Sequence, residues 1–222
     1  MPKIKLPRKS THIDMTAMCD VAFLLLTFFM LATKFKPDEP VVVTTPASTS
    51  TKQIPEGFMQ ITLDKDGRVF FAVDNINAKR DIINQINDDK KLGLTDVEKQ
   101  NFVNGSGVGV PFSQLKSYLS LAPNQRADYD KRAPGIPTDT SGDFTTNELA
   151  YWVQTARYHV DNGKGRIAIK ADGKASYPNI SKVISTLGKQ KVFRFSFITD
   201  MKGVPPGTAL AAERAGKPAG AE

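Results

Sequence analysis

One long apolar run opens the chain. From Val21 to Thr33 every side chain is apolar or a threonine. Val21 to Phe35 alone would span about 22 Å at about 1.5 Å per residue, short of a hydrocarbon core about 30 Å thick. Starting at Met15 gives about 31 Å, so the pattern predicts a membrane helix over 15–35. Asp20 then lies inside the hydrocarbon, nearer the N-terminal side, and Lys34 and Lys36 can snorkel to the far interface. A signal peptide fits poorly. Ala32-Thr33-Lys34-Phe35 is a weak cleavage site, and an Asp at the head of the apolar stretch is unusual.

After the run the period changes. Residues 36–57 are rich in Pro, Thr and Ser and read as an extended, solvated linker. Within it Val41-Val42-Val43-Thr44 is β-prone and could add to a sheet edge. Met59, Ile61 and Leu63 alternate, Asp64-Lys65-Asp66-Gly67 turns, and Val69 to Val73 continues: a β-hairpin. Asn77 is placed to cap a short helix to Asn87, buried through Ile82, Ile83 and Ile86. Further on, Ile167, Ile169 and Ala171 alternate in one strand. Ser176 and Pro178 open a helix whose Ile180, Val183, Ile184 and Leu187 share one face, and Gly188 stops it. Phe193, Phe195 and Phe197 alternate in a last strand. Two β/α halves of this kind predict a small α+β sandwich with helices on one sheet face.

Residues 89–163 are extra to that pattern. Thr95 with Glu98, and Thr145 with Glu148, read as capping boxes. The second opens an amphipathic helix over 146–161, with Leu149, Trp152, Val153, Ala156 and Val160 on one face. That face must bury against the domain core or against a second protein, and the insertion is expected to face a partner or a second copy. Residues 122–143 read as a long polar loop. The tail from Val204 is Ala/Gly/Pro-rich and reads as disordered.

Composition narrows the chemistry. The net charge of +7 could suit nucleic acid. The Lys and Arg residues are instead spread among Asp and Glu, and no basic block is interleaved with aromatics, so nucleic-acid binding is not expected. A single cysteine, Cys19, excludes an intramolecular disulfide. His12 and His159 stand apart from any ligand spacing, so no metal site is expected. Asp64-Lys65-Asp66-Gly67 lacks the remaining ligands of a calcium loop. Gly105-Ser106-Gly107-Val108-Gly109 follows a predicted helix and not a strand, which fails the context for a nucleotide loop. With no Ser-His-Asp set and no paired-carboxylate site, no catalytic residue and no cofactor is assigned, and the chain does not read as an enzyme.

The candidate chemistry lies in the membrane run. A carboxylate there costs about 2.5–3.5 kcal/mol on insertion scales, so it persists only with a use or a partner. Thr16, Asp20 and Thr27 fall on one helical face at about 100° per residue. One polar stripe on a greasy helix implies a surrounding protein bundle. Lys3, Lys5, Arg8 and Lys9 precede the helix, whereas Lys34 and Lys36 are followed by Asp38 and Glu39. The N-terminus is therefore expected in the cytoplasm, with residues 36 onward exported.

The stretch Ile13-Asp14-Met15-Thr16-Ala17-Met18-Cys19-Asp20-Val21, followed by Phe28-Phe29-Met30-Leu31-Ala32, resembles the ExbD/TolR family, the small subunits of ion-driven motors. Asp20 falls on the family's essential Asp. Ala17 stands where the family usually has proline, which implies a less kinked helix entry. The resemblance implies a motor subunit driven by the proton motive force, with two copies of the helix inside an ExbB- or TolQ-like pentamer and Asp20 as the proton carrier. It implies a homodimer, and transmission of energy to a TonB- or TolA-like partner for outer-membrane transport. A TolR-type role in envelope integrity, or a passive membrane-anchored binding protein, is the alternative. The expected organisation is a cytoplasmic segment 1–14, a transmembrane helix 15–35, a periplasmic linker 36–57, an ExbD-like domain 58–204 with insertion 89–163, and a tail 205–222. The setting implied is the inner membrane of a Gram-negative bacterium.

Overall fold

The computed structural model describes residues 15–32, 39–48, 57–139, 146–160 and 165–201. The expected tail, the N-terminal segment and Thr145 lie outside them. The chain divides into two compact units, Met1–Pro37 and Asp38–Glu222.

The first unit holds α1, Met15–Ala32, with no buried residue. Phe23, Leu24, Leu25, Leu26, Phe28, Phe29 and Leu31 all stand exposed. A helix that is apolar over most of its surface and buries no residue within its own chain needs lipid or a partner around it.

The second unit is built on a four-stranded sheet whose strands lie side by side in the order 69–73, 59–63, 167–171, 195–197. β2 (Met59–Leu63) and β3 (Val69–Val73) form the expected antiparallel hairpin. β4 (Ile167–Ala171) runs parallel to β2, and β5 (Phe195–Phe197) runs parallel to β4. The register stacks Phe71, Ile61 and Ile169 in one row, and Val73, Met59 and Ile167 in the next. The period of two therefore sends all of them to one face. That face is covered by Ile82, Ile83 and Ile86 of α2 (Ile76–Lys90), Trp152 of α6 (Glu148–His159), and Val183 and Leu187 of α7 (Tyr177–Lys189), all in one core.

The helix starts differ in detail from the sequence reading. Asn75, not Asn77, caps α2: its side chain accepts from the N–H groups of Asn77 and Ala78 at 2.9 and 3.1 Å. Asn147 caps α6, accepting from Ala150 N at 3.0 Å. Glu148 instead accepts from the N–H of Phe112 at 2.7 Å, tying α6 to a neighbouring helix. The Thr95–Glu98 capping box is present at the head of α3 (Asp96–Asn104). Two further helices follow: α4 (Phe112–Leu119), in sequence to which no element is assigned, and α5 (Pro123–Asp130), in sequence read as loop. Of the last strand only Phe195–Phe197 pairs, and Phe193 is 77% exposed.

The largest departure is at residues 39–48, which are packed on the domain. Val43 and Thr45 are buried. Thr44 donates its N–H to Asp172 Oδ2 at 3.1 Å, and its carbonyl accepts from Gly173 N at 2.8 Å. Glu39 pairs with Lys170. β1 (Ala47–Ser48) runs parallel to β6 (Asp200–Met201). The N–H groups of Lys174 and Thr44 hold the Asp172 carboxyl below the usual carboxylate range. Asp172→Ala should therefore release this segment. The expected result is faster proteolysis and faster amide exchange at 39–48 with the rest of the domain intact, read by limited digestion and mass spectrometry.

The edge of β3 is closed by backbone. Phe71 and Val108 exchange hydrogen bonds, each at 2.8 Å, and Ile136 N donates to Val69 O at 2.8 Å. Both pairings protect an edge strand from other chains. Gly109 makes the close approach possible: a Cβ there would sit 2.1 Å from Phe70 Cδ1. Gly109→Ala should force the buried Phe70 ring to move, at about 1–3 kcal/mol, measurable as a lowered melting temperature.

Candidate functional site

α1 places Thr16 and Asp20 one turn apart and Thr27 about two turns further, so the three residues share a stripe. Asp20 is the one charged residue between Met15 and Ala32. Its side chain is exposed on the helix surface, and Cys19 beside it is exposed too. Thr27 turns inward along its own helix, donating its hydroxyl to the Leu24 carbonyl at 2.9 Å. That bond satisfies the hydroxyl without a second helix. The stripe thus offers one group able to exchange a proton, with threonine oxygens on the same face that can accept a hydrogen bond.

The titratable groups of the second unit mostly serve the fold. Asp64 takes the Arg68 guanidinium and accepts from the Lys65 N–H at 2.6 Å, which fixes the hairpin turn. Lys79 is pushed down by burial, and its Nζ caps the end of α3 through the carbonyls of Val103 and Gly105 at 3.4 and 2.8 Å. Burial raises Glu148 above the usual carboxylate range. Among the described residues no group of three or more His, Cys, Asp or Glu is placed to hold a metal. His159 is hydrogen-bonded to Gln85 at 2.7 Å.

One cluster was not anticipated from sequence. Asp130 and Arg126, one turn apart on α5, are both buried, and Tyr118 of α4 donates its hydroxyl to Asp130 Oδ2 at 3.1 Å. Sequence offered only an Arg and an Asp four apart in a stretch whose polarity reads as loop.

A family model described as biopolymer transport protein ExbD/TolR matches residues 7–202. The chain belongs to the ExbD/TolR family. The match takes in α1 with Asp20 and every described element after it, the helices of 89–163 included. No curated protein and no solved structure matches the chain. ExbD/TolR proteins are non-enzymatic subunits of biopolymer-transport systems, and they generally work with ExbB/TolQ and TonB/TolA partners. Among the described residues α1 is the one helix long and apolar enough to cross a membrane. With the family, it supports a single-pass inner-membrane protein.

Proposed function

We propose that this chain is a proton-driven motor subunit in which Asp20 carries the proton. The observation that supports this most is the lone carboxyl on an apolar helix that buries no residue within its own chain. Hydrocarbon penalises the charged form of a carboxyl. A group so placed can load a proton on one side of a membrane and release it on the other. Each charge falling through the potential supplies about 2.3 kcal/mol per 100 mV.

In this reading two copies of α1 stand inside a pentamer of an ExbB- or TolQ-like partner. Thr16 and Thr27 line the same face as Asp20 and give it polar neighbours. The N-terminus is cytoplasmic, the unit from Asp38 onward is periplasmic, and the membrane is the inner membrane of a Gram-negative bacterium. Unequal protonation of the two Asp20 side chains biases rotation within the pentamer. The chain leaving α1 passes the motion to the domain through the docked segment 39–48, and the domain engages a TonB- or TolA-like partner.

The chain co-expressed with its multi-span partner should purify as one complex, and liposomes holding that complex should pass protons down an imposed gradient. A chain that purifies alone, or a complex that passes no protons, would overturn the reading.

A further inference from the structure

α5 docks on the domain in an unusual way. Its buried residues are Arg126 and Asp130, with no apolar side chain among them. Tyr129 alone adds a partly buried ring, 5.8 Å from that of Tyr118. The helix is therefore held by polar groups, and those groups are incompletely matched. Asp130 is 4% exposed, yet only its Oδ2 has a partner, the Tyr118 hydroxyl. Its Oδ1 and the Nε of Arg126 have none. Arg126 spends its Nη1 on the Asn101 carbonyl of α3 at 2.7 Å. A buried carboxylate with one donor is poorly solvated, whereas the neutral acid is tolerated.

We propose that α5 is a pH-gated clasp, docked on α3 and α4 while Asp130 is protonated and released when Asp130 ionises.

The groups that act on Asp130 are few. From α4 there is Tyr118, and from α5 itself Arg126. From α3 the contact is the Asn101 carbonyl to Arg126. Arg68 of the hairpin turn reaches the carbonyls of Lys131 and Ala133 just after α5, at 2.8 and 3.3 Å. Burial pushes the Asp130 carboxyl up to about 6, against the lowering effects of the Tyr118 hydrogen bond and the Arg126 charge. The undocked helix returns Asp130 to water and to the ordinary value of about 4. The sign follows from linkage: docking is favoured fully below about pH 4 and weakens as pH rises through about 6. Between pH 5 and 7.5 the opening equilibrium should shift about tenfold toward the released state. Tyr129 and its hydrogen bond to Gln114 would leave with the helix. None of this depends on proton transfer by Asp20.

Hydrogen–deuterium exchange on the full chain in detergent tests it, at pH 5.0 and 7.5, after correction for intrinsic exchange rates. Peptides covering 120–133 should lose protection about tenfold at the higher pH, while peptides of β2 and β4 do not. Asp130→Asn should keep 120–133 protected at both pH values. Asp128→Asn, on the exposed side of the same helix, should keep the wild-type difference. Equal protection of wild-type 120–133 at the two pH values would overturn the proposal, since Arg126 would then have repacked to pair with the carboxylate. So would a pH difference that survives in Asp130→Asn. Should Asp130→Asn fail to fold, the wild-type and Asp128→Asn pair still decides.

Discussion

Asp20→Asn is expected to abolish energy-dependent transport while leaving the protein folded, inserted and bound to its membrane partner. The two side chains are nearly isosteric, and the amide lacks an exchangeable acid proton. The amide also removes the cost of a membrane carboxylate, about 2.5–3.5 kcal/mol on insertion scales, so insertion should not suffer. α1 has no buried residue within the chain, so the change leaves the fold of the second unit intact. Transport and proton flux should both fall to background, with unchanged melting of the domain and unchanged co-purification. Asp20→Glu keeps the acid but moves it by one methylene, and should retain a fraction of the flux. The measurements are transport in cells and acidification of liposomes carrying the complex. Full transport by Asp20→Asn would leave α1 as a passive tether, with Asp20 a contact between helices.

Asp20 stands out as a candidate by contrast: one charge at the head of an apolar run needs no tertiary information to be noticed. The same holds for α7 and for the buried face of α6, where burial follows a period near 3.6, and for the hairpin, where the apolar alternation marks the strands although both of their faces are buried. Residues 39–48 were misread because composition outweighed pattern. Val41, Val43 and Thr45 do alternate, and the last two are buried, but the Pro, Thr and Ser around them suggest solvent. Their docking also rests on Asp172 and Gly173, more than a hundred residues away in sequence. α5 was invisible for the opposite reason. Its inward face is Arg126 and Asp130, so a search for apolar period finds nothing. The partner that makes Asp130 notable, Tyr118, sits on another helix. Phe193 and Phe197 show the converse error. Their alternation is real, but both are exposed: Phe193 falls outside β5, and Phe197 lies on the edge strand of the sheet.

Trp152→Ala should produce the largest loss of stability in the domain. The indole is 0% exposed. It stacks on Phe102 of α3 at 5.8 Å and 17°, on Phe112 of α4 at 5.4 Å and 25°, and meets Phe71 of β3 at 5.7 Å. One side chain thus joins the helices of the 89–163 segment to the sheet, which is why that segment is part of the core. Of the two places open to this helix's apolar face, the domain core or a second protein, it takes the core, because the indole has no surface to offer. Truncation leaves a large cavity between three elements with rigid rings that cannot collapse, for a cost of about 3–5 kcal/mol. The indole Nε1 has no hydrogen-bond partner, so its removal offsets a little of that loss. For a domain of this size about 2–4 °C accompany each kcal/mol, so melting should fall by about 6–20 °C. Trp152→Phe keeps a ring between Phe102 and Phe112 and should cost clearly less. Calorimetry on the unit expressed without α1 checks both. An unchanged melting temperature together with lost dimerisation or partner capture would return Trp152 to an interface and detach the 89–163 helices from the core assigned to them here.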